Sequence, residues 1–227
     1  MRILAVDTSS GRGSVCVAED GEILGEVRLA SSIQHSDRLF RSIEFLCQYI
    51  PFELADIDLF AAARGPGSFT GLRIGLAATE GFAAAHGKSG VGVSTLEALA
   101  WKTGVHDAGI APAIDARRGE VYGAVYRRLH DRLIEEQAPV VLKPEQWFSS
   151  LPDGALRICG DGSERYRDLI QVRPEWTIDK VDPYLAGTIA EMALTSNSGP
   201  LEPLYVRKTD AEIAREQRHE GTAGSNT

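Results

Sequence analysis

Residues 3–18 read ILAVDTSSGRGSVCVA, and residues 111–126 read APAIDARRGEVYGAVY. Each stretch is a short apolar run that ends on an aspartate, Asp7 in the first and Asp115 in the second. Each then passes through turn-forming residues into a second apolar run. A third run follows in both places. Ile23–Leu29 comes after the hairpin signal Asp20-Gly21, and Leu133–Gln137 comes after His130-Asp131. Asp115 stands 108 residues after Asp7, about half the chain length, and the simplest account is an internal duplication. Two strand-turn-strand units are therefore expected, with a first half over 1–105, a second over 106–217 and a disordered polar tail over 218–227.

Helical spacing fills the intervals. Leu39, Phe40, Ile43, Leu46, Cys47 and Ile50 recur at threes and fours behind Ser36 as N-cap, until Pro51. Ile57–Ala63 reads as a buried strand, Arg64–Ser68 as a loop and Thr70–Ala85 as a helix. On that helix Gly71, Gly75, Ala78 and Gly81 recur along one side, where small residues let a neighbouring helix approach. Each glycine costs about 1 kcal/mol of helix propensity relative to alanine, so something should offset it. Val91–Val93 reads as a strand, and Ser94-Thr95-Leu96-Glu97 as a capping box for a helix through Trp101. Further on, Pro144 opens a helix, Leu156–Cys159 is a strand, Gly160–Gly162 a loop, and a last helix runs from Asp182-Pro183 to about Leu194.

The 227 residues carry 24 basic and 32 acidic side chains, a net charge of −8. That balance opposes unaided gripping of nucleic acid, which needs a basic footprint. Cysteines at 16, 47 and 159 form no CxxC pair, which argues against a disulfide scaffold or a zinc knuckle and for a reducing cytosol. The opening apolar run, Ile3–Val6, is too short for a signal peptide or a membrane span, so a cytoplasmic protein is expected.

The motifs leave alternatives open. The Asp7-Thr8-Ser9 turn suits an anion-binding nest of hydroxyls and amides, or a hairpin whose aspartate satisfies its own turn. Gly65-Pro66-Gly67-Ser68 lies between a strand and a helix N-terminus, as phosphate loops do. It fits neither the dinucleotide fingerprint nor the P-loop, and the Gly87-Lys88-Ser89 stretch lacks the earlier glycine because Phe82 stands there. The five histidines form no HxxxH or HExxH pair, so no metal site and no cofactor are expected. Arg117-Arg118 heads the densest basic cluster, either a solvated hairpin tip or a local contact for RNA phosphates or an acidic partner.

Taken together, ILAVDTSSGRGSVCV (3–17), QHSDRLF (34–40), ARGPGSFTGLRIGLAATEGFAAA (63–85), STLEALA (94–100) and AIDARRGEVYGAVY (113–126) resemble the TsaB (YeaZ) family. The likeness covers roughly residues 1 to 130 and returns at PLYVR (203–207), where the family shows Pro-x-Tyr-x-Arg. It implies an α/β protein of the actin-like ATPase fold, related to RNase H, with two duplicated βββαβα-type halves. It also implies a non-catalytic scaffold in the synthesis of N6-threonylcarbamoyladenosine at tRNA position 37. TsaD, the paralogous transferase, would be the partner, TsaE a third component, and tRNA would be met only through the complex. In isolation the chain would form a homodimer.

TsaD carries a metal through HxxxH, and here His35 is followed by Leu39 in the second position, so the resemblance implies no metal. The partner surface it implies comprises His35, Ser36, Leu39, Phe40 and Ile43 on one helix. On the next helix it comprises Gly71, Leu72, Ile74, Gly75, Ala78 and Phe82. The anion-binding candidates are Asp7, Thr8, Ser9, Gly65, Gly67 and Ser68 in the first half and Asp115, Arg117 and Arg118 in the second. The competing readings are a self-sufficient actin-fold kinase or ATPase, a metalloprotease, and a purely structural dimer.

Overall fold

The computed structural model describes residues 1–30, 35–195 and 197–207, the side chains of residues 35 and 36 excepted. The tail expected at 218–227 and the stretch 208–217 lie outside the described residues.

Ile3 to Val6 are apolar without alternation, as a strand buried on both faces requires. They form the centre of β1 (Arg2–Asp7). β2 (Arg12–Glu19) and β3 (Glu22–Ala30) follow in antiparallel succession, the second hairpin turning on left-handed Asp20 and Gly21. α1 (His35–Cys47) leads to β4 (Leu59–Gly65), α2 (Phe69–His86) to β5 (Ser89–Ser94), and α3 (Thr95–Lys102) closes the first half. The sheet order is β3-β2-β1-β4-β5, with β1, β4 and β5 parallel.

The second half repeats this plan. β6 (Gly109–Arg117), β7 (Glu120–Leu129) and β8 (Arg132–Leu142) form the meander. α4 (Pro144–Ser150) precedes β9 (Leu156–Cys159), the short helices α5 (Asp161–Arg165) and α6 (Arg167–Ile170) precede β10 (Trp176–Asp179), and α7 (Ala186–Met192) comes last. The order β8-β7-β6-β9-β10 matches that of the first sheet, strand for strand.

Alternation along β1 shows where the core sits. Ile3 and Ala5 face one cluster, together with Ile110 and Tyr126 of the second sheet, Leu96 and Trp101 of α3, and Leu185 and Ile189 around α7. Leu4 and Val6 face the opposite cluster, with Leu39, Ile43 and Leu46 of α1 and Phe60 of β4. The central core thus lies between the two sheets and contains both terminal helices. α7 packs on β1 and β2, whereas α3 packs mainly on β6 and β7, so each half lends its last helix to the other's sheet.

Several boundaries differ from those expected. The last helix begins at Ala186 rather than at Asp182, because the Asp182 carboxylate accepts the Tyr184 amide and makes a turn there. Gly160–Gly162 is partly helical rather than loop, since α5 starts at Asp161. Ser36 falls inside α1, which begins at His35. The chain after 186 does not stay with the second half, because α7 and residues 199–205 return to the first.

Candidate functional site

The loop before α2 presses onto the first strand-turn. Ser68 caps α2, its hydroxyl accepting the Gly71 amide at 3.3 Å, and its own amide donates to the Ser9 carbonyl at 2.6 Å. The Thr8 hydroxyl donates to the Gly71 carbonyl at 2.7 Å, and the Ser9 amide donates to the Asp7 carboxylate at 2.9 Å. A side chain at Gly67 or Gly71 would collide with the backbone oxygens of Ser9 and Thr8, and one at Gly75 with the Thr8 hydroxyl. Asp7, Thr8 and Ser9 are buried, and Gly65, whose peptide to Pro66 is cis, is buried too. The Thr8 hydroxyl and the Ser9 and Ser68 amides, in the turn and loop that offered an anion nest as one reading, thus bond within the chain's own loops. Burial holds the Asp7 carboxyl above its ordinary value, opposed by the Ser9 hydrogen bonds and the Lys102 charge.

The glycine cost noted for α2 is therefore offset largely inside the molecule. Gly71, Leu72 and Gly75 face the chain's own strands, and Leu39 and Ile43 are core residues beside β1 and β2. These five residues of the expected partner surface are buried within the chain. Phe40 is exposed, Ile74, Ala78 and Phe82 are half-buried, and the side chains of His35 and Ser36 lie outside the described residues.

The exposed aromatics of this region are Phe40, already named from the periodicity, and two residues that reading passed over. Phe40, Phe45 and Tyr49 of α1 and the adjoining turn are 50%, 52% and 74% exposed. The tilted rings of Phe45 and Tyr49 meet at 4.9 Å, and Phe40 meets Phe82 of α2 at 5.9 Å. Beside them α2 exposes Ala77, Gly81, Ala84 and Ala85. The signal was present, since Phe45 and Tyr49 lie off the apolar stripe that the core already uses.

The second turn is more open. Arg117 and Arg118 adopt left-handed φ of 61° and 54°, and the Arg117 side chain is 81% exposed. The Asp115 carboxylate accepts the Arg117 amide at 3.0 Å and lies 3.5 Å from the guanidinium groups of both Arg117 and Arg165. Asp161 accepts the Asp115 amide at 2.9 Å, and burial raises its carboxyl. Neither Asp161 nor Arg165 stood out in the sequence, because both lie far along the chain from Asp115.

Among the described residues no group of three or more metal-ligating side chains occurs, and no helix is long and apolar enough to cross a membrane. Cys16, Cys47 and Cys159 are free, and burial pushes the Cys16 thiol up to about 12.

A family model described as TsaD, tRNA N6-adenosine threonylcarbamoyltransferase, matches residues 22–169. The tRNA threonylcarbamoyladenosine biosynthesis protein TsaB of Escherichia coli strain K12 is 38% identical over 149 residues, 64% of this chain and 64% of that protein. TsaB of Haemophilus influenzae is 33% identical over 180 residues, covering 73% of this chain and 74% of its own. The chain belongs to the TsaB (YeaZ) family. A solved YeaZ from Pseudomonas aeruginosa overlays with a TM-score of 0.75 at 28% identity, covering 90% of this chain and 99% of that one. A putative N-acetylmannosamine kinase from Listeria monocytogenes, Lmo2764, overlays at 0.51 with 12% identity, covering 85% and 99%, and extends the likeness to the actin-like fold alone. The match to the E. coli TsaB spans just under two thirds of that protein's length.

TsaB membership brings the transferase's metal into question, and the residues here do not fit one. Leu39, which the resemblance sets against the second histidine, is buried in an apolar cluster with Ile43 and Phe60 and offers no ligand atom. No step through a metal follows from this site.

Proposed function

We propose that this chain is a non-catalytic subunit in the synthesis of N6-threonylcarbamoyladenosine on tRNA, binding and supporting the TsaD transferase together with TsaE. The observation that carries the reading is the exposure of the aromatics Phe40, Phe45 and Tyr49 on and just after α1, together with the exposed small residues Ala77, Gly81, Ala84 and Ala85 of α2. Aromatic anchors next to a surface that admits a close helix are what a helical interface needs. The pathway is that of the TsaB relatives, tRNA threonylcarbamoyladenosine biosynthesis proteins. In isolation the same face would pair with a second copy, and tRNA would be held mainly by the partner, in keeping with a net charge of −8.

The test is co-purification with TsaD. The double variant Phe45→Asp, Tyr49→Asp removes exposed side chains only, so the chain should fold while affinity for TsaD falls at least about tenfold, since anchoring aromatics contribute about 2 kcal/mol or more. In a strain depleted of the native subunit, mass spectrometry of digested tRNA should then show the modification lost. A folded variant that still captures TsaD and restores the modification overturns the assignment.

A further inference from the structure

Residues 197–207 touch the two halves in alternation. Asn197 copies a strand neighbour on the second half, its amide donating to the Leu133 carbonyl at 3.1 Å and its oxygen accepting the Leu133 amide at 3.0 Å. Two residues later Gly199 exchanges both backbone hydrogen bonds with Gly92 of β5 in the first half, each 2.9 Å. Leu204 donates its amide to the Arg64 carbonyl at 2.7 Å, at the end of β4. Tyr205 packs on Phe69, and its hydroxyl accepts from Arg73 at 3.3 Å, still in the first half. Arg207 then crosses back to the second half, where it donates to the Ala116 carbonyl at 3.1 Å, pairs with the Glu120 carboxylate and lies over the Tyr122 ring.

The seating is tight. The Arg64 side chain fills the space beside Gly92 and Gly199, where a Cβ on either glycine would come within 2.9 and 3.3 Å of it. Gly90 leaves room for Leu201 in the same way.

We infer that residues 197–207 form a strap that staples the two actin-like halves at a fixed angle, anchored at both ends on the second half and in the middle on the first. Two lobes joined at a hinge ordinarily change their angle when a ligand draws them together. Here a segment of the chain spans the lobes itself, and Asn197 and Arg207 add to the shared core in holding the angle.

The strap is tested by freeing its two ends on the second half. Spin labels are placed at Glu22→Cys in the first half and Glu145→Cys in the second, both exposed, with Cys47→Ser removing the half-buried thiol. With the strap intact the distance distribution is narrow and single. In the double variant Asn197→Ala, Arg207→Ala it broadens, while the Leu204 amide keeps its protection because the middle of the strap stays on the first half. An unchanged distribution in the folded double variant overturns the inference. Hydrogen exchange on the unmodified protein checks the middle of the strap without any variant. The Gly199 and Leu204 amides must exchange at least about tenfold more slowly than in an unstructured chain, and exchange at the unstructured rate overturns the strap.

Discussion

A Cβ at Gly71 would strike the carbonyl oxygen of Thr8, whereas one at Gly81 would meet no heavy atom within 4 Å. The same substitution should therefore have opposite effects ten residues apart. Gly71→Ala is expected to destabilise by about 1–3 kcal/mol, because the obstacle is backbone and cannot move aside. Gly81→Ala should stabilise by up to about 1 kcal/mol through helix propensity alone. Equilibrium urea unfolding of the two variants checks both signs. Asp7 offers a second test at this scale. Burial raises its carboxyl, so the folded state holds the proton more tightly than the unfolded chain does. Its contribution to stability is complete below the ordinary aspartate value of 3.8 and is lost as pH rises through the higher folded value. Asp7→Asn keeps an oxygen for the Ser9 amide and abolishes the titration. Its unfolding free energy should consequently vary less with pH than that of the parent as pH rises above the ordinary aspartate value. Asp7 and its turn were legible in the sequence, but their seal was not, because Gly67, Gly71 and Gly75 reach them only through the fold.

At the scale of the element, local chemistry spoke clearly wherever it was self-contained. Ser94 does cap α3, accepting the Glu97 amide, and Ser68 caps α2, which starts at Phe69, one residue ahead of the expected Thr70. Ser94 is also buried, and Tyr126, whose burial raises its phenol, bonds to it. Ser94→Ala should thus cost about 1–3 kcal/mol, a lost cap together with a weakened buried hydroxyl, measurable in the same unfolding experiment. Which way α2 faces was not legible. The stripe Gly71, Gly75, Ala78, Gly81 is regular in sequence, yet its N-terminal members turn inward to the Asp7–Ser9 turn and Gly81 turns outward. Periodicity identifies a side of a helix without saying which neighbour it meets. The off-stripe aromatics Phe45 and Tyr49 were the better guide to the free face.

For the whole molecule, the repeat from Asp7 to Asp115 anticipated two sheets of identical strand order, because strand-turn-strand units leave a local pattern that survives duplication. It did not anticipate that α7 and residues 199–205 would leave their own half, since contacts between Ala186 and Ser14, or Leu204 and Arg64, leave no periodic trace. Elements from beyond the boundary drawn at 105 thus cover the first sheet. A fragment of residues 1–105 lacks α7, leaving Ile3, Ala5, Cys16 and Ala18 bare on one face of the sheet. It should bind a hydrophobic dye and aggregate on size exclusion, and co-expression with residues 106–227 should rescue it. A soluble, dye-negative fragment would show that the halves fold alone. The exchange of helices also bears on synthesis. Residues reach the ribosomal exit in chain order, so the strands of the first sheet emerge early, but the helix that covers them is made only after the whole second sheet. During that interval the nascent sheet stays open on one side, which makes it the segment that a chaperone would guard until Ile189 and Met192 arrive.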